Sequence, residues 1–205
     1  MSKDAAKSPP SPTGNPAFSA VLLAGGKSTR MGRDKAGIMV EGQPLWQRQL
    51  ATLAALQPRE LFISGKADGP YVGGGIEVIP DLHPDCGPLS GLEAACWRMQ
   101  SPLLCVLAVD LPWMTPSFLE RLVRMAMQDG RGVVPQTGEY FEPLAAVYPH
   151  AMLSLIGEQI RESDHAMQRL IRRAVDLDLV VPYALGEDER PLFRNVNTPA
   201  DLAGA

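Results

Sequence analysis

The chain has 205 residues, of which 45% are hydrophobic and 20% are charged, with a formal net charge of −4. These values are typical of one globular domain, and the negative charge argues against broad binding to nucleic acid or to an anionic membrane. No apolar run reaches the roughly 18 residues that a membrane helix requires, so we expect no membrane partner.

The first 17 residues are rich in Pro, Ser and Lys and contain no apolar signal core. This composition predicts a disordered tail over residues 1–17 rather than a secretory peptide. We find no internal repeat and no linker after it, so residues 18–205 are predicted to form a single domain.

Strand-like and helix-like runs alternate after the tail. Strands are predicted at 18–24, 60–64, 76–80, 102–110, 132–135, 141–149 and 178–185. Helices are predicted at 44–57, 88–99, 115–128, 151–160 and 166–174, with a turn into a last helix at 195–203. This alternation predicts βαβ units and a mostly parallel sheet, an α/β protein with a Rossmann-like three-layer α/β/α arrangement.

Three cysteines at positions 86, 96 and 105 have no CxxC spacing, and three scattered histidines make no recognisable metal site. The odd cysteine count favours a reducing compartment, so we expect a cytoplasmic protein.

The segment LLAGGKSTRMGRDKA, residues 22–36, follows the first predicted strand. It is not a P-loop, because the first glycine of that motif would fall on Val21. It is not a dinucleotide fingerprint either, because Gly25 and Gly26 are adjacent and the next glycine is Gly32.

A cationic glycine loop of another kind remains. Glycines let backbone N–H groups approach an anion closely, and Arg30 and Lys35 supply the long positive side chains that a triphosphate needs. A solvated basic loop is the alternative. Asp110 is the last residue of the predicted strand at 102–110. In parallel sheets ligands bind beyond the carboxyl ends of the strands, so we expect this loop and Asp110 to share one edge.

Four segments together resemble the molybdenum cofactor guanylyltransferase family, within the nucleotidyltransferases of glycosyltransferase-A-like fold. They are residues 22–36, VIPDLHPDCGPLSGL at 78–92, VDLPWMTP at 109–116 and NVNTPADL at 195–202. The similarity covers about residues 18–204. It implies a sheet like that of nucleotide-diphospho-sugar transferases, with a small antiparallel excursion. It also implies transfer of GMP from GTP to the phosphate of molybdopterin, with release of pyrophosphate.

The resemblance assigns roles to residues in these segments. The catalytic candidates are Lys35, Arg30 and Asp110. Asp110 would also hold Mg²⁺, because a carboxylate at a strand end is a fixed hard-oxygen ligand. Lys35 would bridge phosphates near the α-phosphorus, and Arg30 would bind the β or γ phosphate. The nucleotide-binding candidates are Leu23, Ala24, Gly25, Gly26, Lys35, Asp81 and Gly87, with Asp85 as the competitor of Asp81.

Guanine would be selected in the glycine loop. Backbone N–H groups of Ala24, Gly25 and Gly26 are expected to face a purine carbonyl. Cytidylyltransferase relatives typically have Leu-Ala-Ala-Gly here, and the Leu-Ala-Gly-Gly of this chain lacks one Cβ that would press on a larger base.

The acceptor would contact Asn195, Asn197 and Glu142. The family often has a histidine after that acidic residue, whereas this chain has Pro143. Asp201 is predicted to be structural, in a capping box with Thr198.

The predicted partners are therefore GTP and molybdopterin, without nucleic acid, with transient contacts to other cofactor-biosynthesis proteins or acceptor molybdoenzymes. Two alternatives stay open. One is a relative that uses CTP or transfers to a sugar phosphate, and the other is a nucleotide-binding regulatory protein without catalysis.

Overall fold

The computed structural model describes residues 18–25, 35–83, 85–196 and 201. In these residues the strands are β1 (Phe18–Leu23), β2 (Met39–Val40), β3 (Gln43–Pro44), β4 (Glu60–Ser64), β5 (Glu77–Ile79), β6 (Leu103–Ala108), β7 (Gly132–Thr137), β8 (Tyr140–Phe141), β9 (Ala145–Pro149) and β10 (Val180–Ala184). The helices are α1 (Leu45–Ala54), α2 (Pro88–Arg98), α3 (Pro116–Asp129), α4 (Met152–Arg161) and α5 (Met167–Asp176). None of the helices in this part of the chain is long and apolar enough to cross a bilayer.

Eight strands form one sheet in the order β10-β7-β9-β6-β1-β4-β5, with β8 paired to β7, and β2 and β3 form a separate hairpin. The strands β6, β1, β4 and β5 run parallel to one another. Among the described strands of this sheet, β9 and β8 run opposite to the others, and each pairs antiparallel with β7. The predicted α/β class, with a mostly parallel sheet and a small antiparallel excursion, is confirmed.

Helices cover both faces of the sheet, as a three-layer arrangement requires. Phe18, Ala20 and Leu22 of β1 pack with α1 and α3 on one face. Val21 and Leu23 point to the other face, where they join the apolar residues of α2, α4 and α5. All six side chains of β1 are buried, as are all six of β6. Buried strands covered on both faces explain the continuous apolar runs in the sequence.

Two local predictions differ from the structure. The single strand predicted at 141–149 is interrupted, because β8 ends at Phe141 and β9 begins at Ala145. Pro143 has no N–H to donate to a ladder, which suits it to the turn between them. The short hairpin of β2 and β3 was not predicted. Pro44 ends this hairpin and precedes α1 with an extended backbone, φ −60° and ψ 141°. The predicted tail at 1–17 and most of the predicted last helix lie outside the described residues.

Candidate active site

The carboxyl ends of four parallel strands lie level with one another. Leu23 pairs with Ser64 and with Ala108, and Ser64 pairs with Ile79. The segments that follow these strands therefore emerge at one edge of the sheet. They carry Gly25, Asp81 and Asp110, so the predicted shared edge is confirmed.

The start of the glycine loop is joined to the end of β4. The N–H groups of Ala24 and Gly25 both donate to the carbonyl oxygen of Ser64, at 2.8 and 3.1 Å. They are therefore already satisfied inside the protein. The expectation that the N–H groups of Ala24 and Gly25 read the base is wrong for this arrangement, and Gly26 lies outside the described residues.

Asp81 lies against Gly25. A Cβ added at Gly25 would sit 3.5 Å from Asp81 Oδ2, an ordinary contact, and Ser64 Oγ donates to Asp81 Oδ1 at 3.3 Å. Partial burial raises the pKa of Asp81, and the hydrogen bond from Ser64 offsets part of that rise. Asp85 lies in the turn before α2 with φ 76°. Asp81 is therefore the carboxylate that lies against Gly25.

The amino end of α2 borders the same edge. Gly87 precedes the helix with φ 61°, in the region that glycine adopts without strain, and Pro88 is the first helical residue. One turn later, Gly91 packs so closely on the sheet that an added Cβ would lie 2.4 Å from Ser64 Oγ. A helix amino end carries partial positive charge, which favours an anion near Gly87.

Lys35 and Asp110 meet at this edge. Lys35 begins a 3-10 turn, Lys35–Gly37, and its Nζ lies 3.5 Å from Asp110 Oδ2. The two side chains are 33% and 22% exposed, so both retain access to solvent. Asp110 lies between buried Val109 and Leu111, and the N–H of Val109 donates to the carbonyl of Leu23 at 3.0 Å. A cation and a carboxylate therefore lie side by side just beyond the carboxyl end of β6.

The two described acceptor candidates lie near the end of β6. Asn195 is exposed, and the N–H of its neighbour Val196 donates to the carbonyl of Asp110 at 2.9 Å. Glu142 is half-buried, and burial raises the pKa of its carboxyl. The segment after Glu142 reaches β6, because the carbonyl of Leu144 accepts the N–H of Ala108 at 2.7 Å. Three other site candidates, Arg30, Gly26 and Asn197, lie outside the described residues.

A cluster that was not predicted holds the chain before Asn195. Glu189 is only 8% exposed and accepts from Arg121, from the hydroxyl of Tyr183 and from the N–H of Gly186. Arg121 also lies over the rings of Tyr183 and Phe118. Arg121 and Glu189 are 68 positions apart, so no local pattern in the sequence indicates the pair.

The carboxylate of Asp110 fits a magnesium ion that is bound partly by the protein and partly by the phosphates of a nucleotide. Within the described ranges, no group of three His, Cys, Asp or Glu side chains could hold a metal ion by itself. Mg²⁺ is commonly bound by one or two carboxylates together with substrate phosphates and water. A single partly exposed carboxylate at a strand end is suited to that mode, and to no site made of protein ligands alone.

Known proteins resemble this chain over most of its length. The family model described as the MobA-like NTP transferase domain matches residues 20–179. The "Probable molybdenum cofactor guanylyltransferase" of Opitutus terrae is 34% identical over 188 residues, which cover 90% of this chain and 93% of that protein. The protein of the same name from Deinococcus radiodurans is 34% identical over 189 residues, covering 91% and 92%.

Solved structures agree with the fold. The crystal structure of molybdopterin-guanine dinucleotide biosynthesis protein A from Archaeoglobus fulgidus has a TM-score of 0.74 and 26% identity, and it covers 90% of this chain and 95% of that one. The 2-C-methyl-D-erythritol 4-phosphate cytidylyltransferase of Thermus thermophilus has a TM-score of 0.65 at 17% identity, covering 89% and 94%, and supports the fold alone.

Proposed function

The chain belongs to the family of MobA-like NTP transferase domains, and on that premise we propose that it transfers GMP from GTP to the terminal phosphate of molybdopterin. The products are molybdopterin guanine dinucleotide and pyrophosphate. The relatives named as molybdenum cofactor guanylyltransferases match over nine-tenths of this chain, and they support this activity. The observation in the structure that carries the proposal is the contact of Lys35 with Asp110 beside the glycine loop.

The reaction joins two anions, so charge is the main obstacle. An oxygen of the acceptor phosphate forms a bond to the α-phosphorus of GTP, and the bond from that phosphorus to the pyrophosphate oxygen breaks. The attacking oxygen is already anionic at neutral pH, so no general base is needed. Catalysis then depends on positioning and on neutralisation of charge. These are tasks for a fixed cation such as Lys35.

In this proposal Lys35 binds oxygens of the α-phosphate and takes up charge as the pyrophosphate leaves. Its contact with Asp110 holds the ammonium group at the sheet edge before the nucleotide binds. Asp81 and the amino end of α2 at Gly87 hold the nucleoside and its phosphates, and Arg30 binds the distal phosphates.

Asp110 would hold Mg²⁺, which supplies Lewis-acid polarisation of the phosphates when bound. The Asp110 carboxylate would be the protein ligand of that ion, and Lys35 would bind the phosphates beside it. Both side chains are partly exposed, so a nucleotide can reach them.

The acceptor lies on the other side of Asp110 in this proposal. Asn195 and Asn197 donate hydrogen bonds to the pterin or its phosphate, and Glu142 accepts from ring N–H groups. Glu142 suits that role, because the oxygens of an ionised carboxylate accept hydrogen bonds from N–H groups and repel a phosphate.

We place the reaction in the cytoplasm, where the three free thiols at 86, 96 and 105 stay reduced. The product would pass to molybdoenzymes or other cofactor-biosynthesis proteins by transient contact.

The test is an incubation of the protein with molybdopterin, Mg²⁺ and labelled GTP, CTP or ATP in separate reactions. The expected result is the guanine dinucleotide and one equivalent of pyrophosphate with GTP only. A thermal shift with the same nucleotides, each with and without Mg²⁺, shows which base the free protein prefers. Preference for CTP in both assays would transfer the assignment to a cytidylyltransferase, and nucleotide binding without any product would support a regulatory protein.

A further inference from the structure

The segment that carries Asp110 is fixed by two neighbouring side chains of α1. This segment, residues 109–112, is called the Asp110 loop below. The amide Nε2 of Gln49 donates to the carbonyl of Leu111 at 2.5 Å and lies 3.5 Å from the carbonyl of Ala108. The Nε of Arg48 donates to the carbonyl of Pro112 at 3.0 Å. After Asp110, the loop is therefore hydrogen-bonded to α1 at Leu111 and Pro112. Before Asp110, the contact of α1 with the carbonyl of Ala108 is longer.

Gln49 is an unusual residue for its surroundings. It is 0% exposed, on the face of α1 that packs against the sheet, and its Oε1 has no hydrogen-bond partner among the described residues. Burial of an unsatisfied amide oxygen is unfavourable, and an apolar side chain of the same length would avoid it. The amide of Gln49 donates to a carbonyl of the Asp110 loop, which an apolar side chain cannot do.

The carbonyl of Leu111 also accepts the N–H of Met114 at 3.1 Å in a local turn, and groups from other elements supply further donors to the loop. The carbonyl of Asp110 itself is bonded to the N–H of Val196 from the C-terminal segment, at 2.9 Å. The carbonyls of Asp110, Leu111 and Pro112 thus each accept a hydrogen bond from a residue of another element. Because these bonds hold the backbone of the Asp110 loop, only the side-chain torsions of Asp110 remain variable.

We propose that Gln49 and Arg48 are positioning residues for the metal-binding carboxylate of Asp110, and that they raise the affinity for the Mg²⁺ complex of GTP without touching either. This inference rests on the proposed function, because it requires a metal at Asp110. Groups that orient a metal ligand commonly change metal affinity by 10-fold to 100-fold when they are removed. Lys35 contacts the phosphates of the substrate in this proposal, whereas Gln49 and Arg48 act only through the backbone of the Asp110 loop.

The chain offers a matched control for each residue. Gln159 of α4 is also 0% exposed, its Oε1 is also without a partner, and its Nε2 donates to one backbone carbonyl, that of Ala166, at 3.1 Å. It contributes no bond to the Asp110 loop. For Arg48 the control is Glu41, whose carboxylate pairs with Arg48 NH1 at 2.6 Å and does not reach the loop.

The experiment measures GTP binding by isothermal titration calorimetry, once with Mg²⁺ and once with EDTA, and takes the ratio of the two affinities as the metal-dependent gain. The variants are Gln49→Met, Arg48→Leu, Gln159→Met, Glu41→Gln and Asp110→Asn. We expect Gln49→Met to lower the gain about 10-fold and Arg48→Leu about threefold, with the affinity in EDTA unchanged. Gln159→Met and Glu41→Gln keep the gain of the wild type within about twofold.

Thermal unfolding separates a positioning role from loss of folding. Gln49→Met and Gln159→Met remove the same kind of bond and should change the melting temperature to a similar extent. Equal gains in these two variants would overturn the inference while leaving the proposed function intact. If Asp110→Asn keeps the full gain of the wild type, the metal site itself is wrong and the inference falls with it. Arg48 is partly exposed, so Arg48→Leu remains informative should Gln49→Met not fold.

Discussion

Gly91 tests whether α2 must pack as closely on the sheet as the structure indicates. Replacement by alanine should favour the helix by about 0.8–1.0 kcal/mol, which is the difference in helix propensity. The added Cβ, however, would lie 2.4 Å from Ser64 Oγ, 3.2 Å from Leu23 Cδ2 and 3.3 Å from Ser64 Cβ. Ser64 is 1% exposed, so its hydroxyl has little space into which to move.

Overpacking of a core contact costs about 1–3 kcal/mol, which outweighs the gain in propensity. We therefore expect Gly91→Ala to lower the free energy of unfolding by up to about 2 kcal/mol. For a chain of this length that is a fall of several degrees in melting temperature, at roughly 2–4 °C per kcal/mol. GTP binding should weaken as well, because Ser64 donates to Asp81 and α2 begins at the nucleotide edge.

Gly157 provides the same substitution in a helix with more space. An added Cβ there would lie 3.4 Å from Arg161 NH1 and 3.5 Å from Glu93 Oε1, which are the ends of flexible side chains. Gly157→Ala should therefore stabilise the protein by about 0.5–1 kcal/mol. Urea unfolding of both variants measures the contrast between them.

The same substitution can be measured in a Ser64→Ala protein. Ser64→Ala removes the hydroxyl that Gly91→Ala would strike, so the cost of Gly91→Ala should be smaller in the Ser64→Ala protein by about 1 kcal/mol. If Gly91→Ala stabilises the protein as Gly157→Ala does, or if its cost is the same in both backgrounds, the close approach of α2 to β4 is not what requires glycine.

Three further predictions concern the acidic residues of the site and its support. Asp110→Asn should abolish product formation while the melting temperature stays within about 4 °C, because the partly exposed pair with Lys35 is worth at most about 1 kcal/mol; retained activity would refute the metal assignment. Glu189→Gln should cost about 1–2 kcal/mol in urea unfolding, since Glu189 is mostly buried but its partner Arg121 is 45% exposed, and should raise the KM for the acceptor. Burial raises the pKa of Glu142 above its ordinary 4.5, so the folded protein favours the protonated carboxyl. The stabilisation by the protonated form is fully present below the ordinary pKa. It is lost as the pH rises through the pKa of the folded state. Glu142→Gln should thus melt higher than the wild type at pH 7 and equally well under acidic conditions, and a constant difference across pH would contradict the assignment.

The order of the elements could be predicted from the sequence because it depends on local physical chemistry. The continuous apolar runs of β1 and β6 indicate strands buried on both faces. Thr115 and Pro116 mark the start of α3, and the Thr115 hydroxyl accepts from the N–H of Phe118 at 3.3 Å. The alternation of these elements fixes parallel pairing, and parallel pairing places the glycine loop and Asp110 at one edge.

The tertiary structure alone decided which groups at that edge are already bonded to one another. The N–H groups of Ala24 and Gly25 are occupied by the carbonyl of Ser64, which lies about 40 positions away along the chain. The support of the Asp110 loop by Gln49, 62 positions from Leu111, leaves no periodic signal in the sequence. Patterns along a chain report which residues face a core or end an element. Hydrogen bonds between distant segments depend on the register in which the sheet brings them together, and that register is a property of the folded molecule.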